Sequence, residues 1–160
     1  MPEAQQVSAP LSIIPATDTE REWCAQVMAS TDPWITLGRN LEQCRAFCAN
    51  REYLLYVAHS GGEPCGFMLM HRRGLASSPY IPVLAVADGF RDQGVGGQML
   101  AFAEDFFRRD ARHLFLCVSS FNTRAQAFYA RHGFATVGEL EDYIKPGASE
   151  IILHKRLRQD

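Results

Sequence analysis

The chain has 160 residues, a length typical of one domain that buries roughly two-thirds of its unfolded surface. Its 47% of hydrophobic and 21% of charged residues are ordinary for a soluble globular protein, and its net charge of -2 gives no reason to expect nucleic acid or an anionic membrane as a partner. No apolar run approaches the about 18 residues that a membrane span needs, and residues 1–15 lack the features of a signal peptide. A cytoplasmic location is therefore expected.

The N-terminal half predicts a short strand, two helices and a β-hairpin. Residues 1–10 are polar and contain two prolines, so they predict a flexible tail, and residues 11–160 are expected to form a single domain. Thr19 and Glu22 have the spacing of a capping box at the start of the first helix. The elements predicted in this half are a strand at 11–14, helices at 19–29 and 40–49, strands at 52–59 and 65–70 around a Gly61-Gly62 turn, and a loop at 71–79.

The C-terminal half alternates apolar runs with amphipathic segments. Met99, Leu100 and Ala103 recur at helical spacing, which predicts a helix that packs on a sheet. An early hairpin followed by strand, helix, strand, helix and two strands predicts a mixed α/β fold. The predicted elements are a strand at 81–86, a helix at 97–109, a strand at 114–118, a helix from Asn122 to the Gly133 cap, and strands at 135–140 and 150–157 around a loop at 142–149.

The five cysteines do not have the paired short spacings of a zinc site, so no metal is expected. An odd number of widely separated cysteines is typical of free thiols in a reducing compartment. Buried free thiols are predicted at Cys24, Cys44, Cys48, Cys65 and Cys117.

Residues 91–96, with the sequence Arg-Asp-Gln-Gly-Val-Gly, lie between the predicted strand at 81–86 and the predicted helix at 97–109. A turn at a helix start leaves backbone N–H groups unpaired, and the helix dipole adds about half a positive charge there. Gly94 and Gly96 lack Cβ atoms, so a ligand can approach the backbone closely. The turn therefore predicts a phosphate or pyrophosphate site.

Two familiar phosphate loops are excluded by the residues at this turn. Gly89 and Gly94 have the spacing of a Walker A loop, but Val95 and Gly96 stand where that loop has Lys and Ser or Thr. In a dinucleotide-binding fingerprint Met99 would occupy the position of the third glycine, and no acidic residue ends a second parallel strand downstream.

A second pattern follows the predicted strand at 114–118. Asn122-x-x-Ala125-x-x-Phe128-Tyr129 continues to Gly133-Phe134. With this second pattern the chain resembles the GCN5-related N-acetyltransferase (GNAT) superfamily, because residues 91–96 match that family's pyrophosphate loop and residues 122–134 match its second acetyl-CoA motif. The glycine turn by itself is a weak signal, whereas both motifs in order with a strand between them are a strong one.

The resemblance implies a central, mostly antiparallel sheet of six or seven strands, flanked by about four helices. The fourth and fifth strands splay apart in that family, and the pantetheine arm of acetyl-CoA lies between them. The co-substrate is thus expected to be acetyl-CoA, without a metal. Its expected contacts are the backbone of Leu84, Ala85 and Val86, the turn formed by Arg91, Asp92, Gln93, Gly94, Val95, Gly96 and Gly97, and the side chains of Asn122 and Tyr129.

Tyr129 is predicted to be the general acid of acetyl transfer. Attack of an amine on the thioester expels a thiolate, and a tyrosine with a pKa near 10 is still protonated at neutral pH and can supply the proton. The general base is left open. Related ribosomal-protein N-terminal acetyltransferases have a glutamate on the fifth strand, where this chain has Cys117, and the remaining candidates are a water chain or the carboxylates of Glu63, Asp88, Glu139, Asp142 and Glu150.

The acceptor site is expected between residues 32–39, 72–80 and 142–149. Trp34, Tyr80, Tyr143, Asp142 and Glu150 would form an aromatic and acidic pocket for a cationic amine there, although ordinary surface loops are an equal interpretation. Two functions follow: an N-acetyltransferase acting on a primary amine of a small molecule or a peptide N-terminus in a ternary complex, or a non-catalytic acyl-CoA-binding module. Neither nucleic acid nor a membrane is an expected partner, and pairing of two copies into a homodimer is left open.

Overall fold

The computed structural model describes residues 10–159, so the predicted tail over residues 1–10 lies outside the described part except for its last residue. The described part has one seven-stranded sheet with strands β1 (Ser12–Pro15), β2 (Leu54–Ser60), β3 (Glu63–Leu75), β4 (Ser78–Val86), β5 (His113–Ser119), β6 (Ala135–Lys145) and β7 (Ala148–Arg156). Its helices are α1 (Asp18–Ala29), α2 (Leu41–Ala49), α3 (Val95–Arg108) and α4 (Thr123–Arg131).

The strands follow the order β1-β2-β3-β4-β5-β7-β6, and every neighbouring pair is antiparallel except β4 and β5. The parallel pair is short, because only Tyr80 with Phe115 and Ile81 with Leu116 are in register. Beyond these residues the two strands diverge. The predicted mixed α/β fold, with its mostly antiparallel sheet and its splayed fourth and fifth strands, is confirmed.

β3 is buried on both faces and separates two hydrophobic clusters. Met68 and Met70 pack in the cluster that includes Met99 of α3, whereas Phe67 and Leu69 pack in the cluster of α1 and α2. Successive side chains of a strand point to opposite faces, so this apolar run supplies both clusters at once. The result is a sheet covered by helices on both sides, with the gap between β4 and β5 left open.

Phe67→Ala tests how much of the stability comes from the cluster of α1 and α2. The Phe67 side chain is 0% exposed, and its ring meets the Trp23 ring edge-on with centroids 6.3 Å apart. Removing a buried aromatic ring leaves a cavity, so we expect a loss of about 3–5 kcal/mol in the free energy of unfolding, measured by urea denaturation. Val137→Ala, at a side chain of β6 that is 56% exposed, is the control and should change it by less than about 0.5 kcal/mol.

Three local predictions are wrong. The first capping box is formed by Thr17 and Glu20 rather than by Thr19 and Glu22, because the helix begins at Asp18. The loops predicted at 71–79 and 142–149 are instead the tips of two hairpins, β3–β4 and β6–β7, with turns at 76–77 and 146–147. The arms on β3 and β6 are polar and largely exposed, so they lack an apolar alternation, and pairing with β4 and β7 holds them extended.

α3 begins two residues before its predicted start, which places Val95 and Gly96 in its first turn. Within the described residues, no helix has the length and hydropathy that a bilayer span requires. All five cysteines are free; four are buried as predicted, but Cys117 is only half-buried.

Candidate active site

Two adjoining cavities lie where β4 and β5 diverge. The loop cavity, of about 570 Å³, extends beside the turn that precedes α3. The hairpin cavity, of about 520 Å³, extends toward the tips of the β3–β4 and β6–β7 hairpins. The residues that line both cavities are Pro33, Trp34, Leu84, Asn122, Ala125 and Tyr129. The two cavities therefore meet beside α4, and a ligand in one can reach a ligand in the other.

The turn before α3 presents backbone N–H groups to the loop cavity. Gly94 is the N-cap residue, with a left-handed φ of 80°, and no side chain of the described residues caps the helix. The N–H groups of the first turn are thus left for a ligand, and the positive end of the helix dipole points the same way. The helix also packs closely on α4, since a Cβ on Gly96 would lie 3.3 Å from the Phe128 ring.

Basic side chains surround this turn. Arg91 pairs with Asp88 at 3.4 Å (Nε to Oδ1), and Asp92 pairs with Arg124. Arg124, Arg131 and His132 line the loop cavity together with Arg91, but the sequence patterns did not single them out. Arg131 and His132 follow Arg124 by seven and eight residues, a spacing that places all three on one face of α4. This helical spacing is the sequence signal from which they could have been predicted. This charge suits a polyphosphate.

One backbone edge of β4 is open along the cavities. β3 pairs with Leu84, Ala85 and Val86 through Met68, Phe67 and Gly66, whereas the β5 side has no registered partner after Ile81 within the described residues. Leu84, Ala85 and Val86 all line the loop cavity. An extended amide-containing chain can pair with such an edge as an added strand does.

Asn122 and Tyr129 stand where the two cavities meet. The Asn122 side-chain oxygen accepts a hydrogen bond from the Ala125 N–H at 3.2 Å, which caps α4 as predicted. The Tyr129 ring is packed between those of Phe128 and Phe134 and is 8% exposed. Burial raises the pKa of Tyr129, so its hydroxyl keeps its proton throughout the neutral range.

The hairpin cavity contains most of the predicted acceptor residues. Trp34, Tyr80, Tyr143 and Glu150 line it, but Asp142 does not. The Asp142 carboxylate instead accepts a hydrogen bond from the Gly147 N–H at 2.7 Å, inside the β6–β7 turn. The tip of this hairpin is joined to the turn at 31–38 by a hydrogen bond of 3.1 Å from the Lys145 ammonium to the Thr36 carbonyl.

Glu150 is the one carboxylate among the base candidates that lines a cavity in the described part of the chain. It lies on β7 directly opposite Ser119 of β5 and is half-buried, and its Oε2 atom has no hydrogen-bond partner within residues 10–159. Burial raises the pKa of Glu150, while the Ser119 hydroxyl and the Arg39 guanidinium partly oppose the shift. The other candidates, which are exposed and outside both cavities, are Glu63, Asp88, Glu139 and Asp142.

Cys117 also faces the hairpin cavity, beside Tyr80. Burial raises the pKa of the Cys117 thiol, and a hydrogen bond with the Tyr80 hydroxyl only partly opposes this shift. The thiol is therefore protonated at neutral pH, which does not suit a base or a nucleophile.

Residues 18–134 match the model of the acetyltransferase (GNAT) family. The chain belongs to the GNAT family. The match spans the turn at 91–96 and the capped helix α4, and acetyl transfer from acetyl-CoA is the activity that membership of this family implies.

Solved GNAT structures share the fold of this domain. Ard1 from Thermoplasma volcanium is 20% identical with a TM-score of 0.78, over 94% of this chain and 100% of that one. Ribosomal-protein-S18-alanine N-acetyltransferase from Escherichia coli is 18% identical with a TM-score of 0.73, over 94% and 96%. Aminoglycoside 6'-N-acetyltransferase in complex with coenzyme A is 14% identical with a TM-score of 0.76, over 93% and 98%. A search of curated protein sequences finds no significant match.

Proposed function

We propose that this GNAT domain transfers the acetyl group of acetyl-CoA to a primary amine by direct attack in a ternary complex. The observation that carries the proposal is the meeting of the two cavities at Tyr129 and Asn122. One cavity has the open strand edge and basic turn that suit coenzyme A, and the other has aromatic walls and a carboxylate that suit an amine. The junction is where the thioester and the amine would meet.

Coenzyme A fits the loop cavity at two points. The N–H groups around Gly94, Val95 and Gly96 would hold the pyrophosphate, with Arg91 and Arg124 adding positive charge. The open edge at 84–86 would pair with the pantetheine amides, and the Asn122 side-chain amide would donate to the pantetheine while its oxygen caps α4. The remaining members of the turn, Asp92, Gln93 and Gly97, would complete the pyrophosphate-binding site.

Tyr129 is the proposed general acid. The acceptor nitrogen forms a bond to the acetyl carbon, the carbon–sulfur bond breaks, and its electron pair leaves with the sulfur. The Tyr129 hydroxyl donates a proton to that sulfur, so coenzyme A is released as the neutral thiol. Two features support this role: the hydroxyl keeps its proton at neutral pH, and Tyr129 is one of the residues that line both cavities.

Glu150 is the proposed general base. It is the half-buried carboxylate of the hairpin cavity, whereas Glu52 in the same cavity is exposed. The Oε2 atom of Glu150 has no hydrogen-bond partner among the described residues, and burial raises the pKa of Glu150. A base is most effective when its pKa lies near the working pH, so this shift favours the role. The Glu150 carboxylate would take the proton that the amine loses as the new bond forms.

Coenzyme A binding, measured by calorimetry, tests the first half of the proposal. Gly94→Ala forces a side chain into a left-handed conformation, which costs roughly 1–2 kcal/mol, and distorts the N–H groups that hold the pyrophosphate. We expect its Kd for coenzyme A to rise about tenfold. Gly62→Ala is the matched control, because Gly62 has a φ of 82° in the β2–β3 turn, away from both cavities, and its Kd should match that of the wild type.

A thiol-release assay over a panel of amines and peptides tests the second half. Release that requires both acetyl-CoA and an amine supports the enzyme. Tight coenzyme A binding without release over the whole panel would favour the non-catalytic module, and an absence of binding would contradict both functions.

A further inference from the structure

Arg39 occupies a well-anchored position on the wall of the hairpin cavity. Its backbone N–H donates to the Trp34 carbonyl at 2.9 Å, and the next residue, Asn40, caps α2 through a bond of 2.9 Å from the Gln43 N–H. The side chain is half-buried. The backbone is thus held at Arg39 and at the next residue, which fixes where the arginine side chain leaves the chain beside the cavity.

The Arg39 guanidinium stacks on an aromatic ring instead of pairing with an acid. Its Cζ atom lies 5.6 Å from the centroid of the Phe47 ring, and no ion pair joins it to a carboxylate within residues 10–159. A cation–π contact does not consume the N–H donors of the guanidinium, so they can bind an anionic ligand. A guanidinium can bind a carboxylate through two parallel N–H···O hydrogen bonds, in a bidentate pair.

The hairpin cavity is lined by acidic and basic side chains, of which Glu150 and Arg39 are half-buried, whereas Glu52 and Arg73 are exposed. Glu150 and Arg39 form no ion pair with each other, and the positive charge of Arg39 opposes the rise that burial causes in the pKa of Glu150. A volume of about 520 Å³ is in the range of a small-molecule site. A ligand that carries both an amine and an anionic group would satisfy both residues.

We infer that the acceptor is a small amino-acid-like molecule whose amine lies toward Glu150 and whose carboxylate is bound by Arg39. The inference rests on the proposed acetyl transfer and names its acceptor class. A peptide N-terminus fits less well, because it has a neutral amide where a free amino acid has its carboxylate and so leaves the stacked guanidinium without an anion. A simple amine has the same defect.

A comparison of free amino acids with their methyl amides, and with dipeptides, tests the acceptor class in the thiol-release assay. We expect the free acids to have a kcat/KM about 10–100-fold higher than the amides, chiefly through KM, because a hydrogen-bonded charge pair is lost in the amide. Arg39→Gln should reduce this ratio to about 1, and Arg39→Lys should retain part of it. The deaminated acids should inhibit the wild type competitively and inhibit Arg39→Gln far less.

Arg72→Met is the matched control, since Arg72 stacks on the Phe106 ring at 5.1 Å but lies outside both cavities. It should leave the preference for free acids unchanged. Thermal melting checks that each variant is folded.

Amides or dipeptides that react as well as the free acids, or a preference that survives Arg39→Gln, would overturn the inference while leaving acetyl transfer intact. No thiol release with any amine would overturn the proposed function itself.

Discussion

Tyr129→Phe is expected to lower kcat about 10²–10⁴-fold, the range typical of a lost general acid. The ring stays in its packing between Phe128 and Phe134, so only the hydroxyl is removed. The Kd for coenzyme A should change little, because most of the proposed contacts are made by the turn before α3, by β4 and by Asn122 rather than by the Tyr129 hydroxyl. Steady-state kinetics at saturating acetyl-CoA, together with calorimetry, measure the two effects separately.

The pH profile adds a second readout for Tyr129. Because burial raises its pKa above the ordinary value of 10, wild-type kcat should hold up to at least about pH 10, and a loss on the alkaline side should follow only above that. Tyr56→Phe removes a hydroxyl from a ring that packs on Phe102 and Phe106, away from the cavities, and should leave kcat unchanged. A kcat for Tyr129→Phe within twofold of the wild type would show that the proton reaches the thiolate from another source.

Glu150→Gln is expected to lower kcat/KM by about 10²-fold or more at neutral pH, because the proposed proton acceptor is lost. In the wild type the acid side of the kcat/KM profile should fall at a pH above 4.5, the ordinary value for glutamate, since burial raises the pKa of Glu150. The decrease of kcat/KM on the acid side should be absent in Glu150→Gln. Glu139→Gln, on the exposed β6 strand, makes the same charge change outside both cavities and should keep the wild-type profile.

Stability separates this role from a structural one. The Glu150 pKa is higher in the folded state than in the unfolded chain, so the folded state binds the proton more tightly, and stability falls as the pH rises from about 4.5 through the folded pKa. The ionised carboxylate is therefore a stability cost at neutral pH. Glu150→Gln should melt at the same temperature as the wild type or higher, while its activity falls. A lower melting temperature with unchanged kinetics would contradict the assignment.

Local sequence was sufficient for the elements whose signal lies within a few residues. The helix at α3 follows from the spacing of Met99, Leu100 and Ala103, all fully buried, and the cap at Asn122 follows from the residue type at a helix start. The hairpin tips could not be predicted in this way. The arms on β3 and β6 are exposed, so their strand conformation depends on pairing with β4 and β7 rather than on an apolar pattern.

The sequence by itself determined the family, the glycine turn and the general-acid candidate, because these depend on residue types at short, regular separations. Only the tertiary structure selected Glu150 among five carboxylates and brought Arg39 into the same cavity, although 111 positions separate them in the chain. That choice depends on the register of β7 against β5 and on the packing of α2, which join residues far apart in sequence. Long-range contacts of this kind decide whether a carboxylate is half-buried in a cavity or exposed in a turn, and they produce no local sequence pattern.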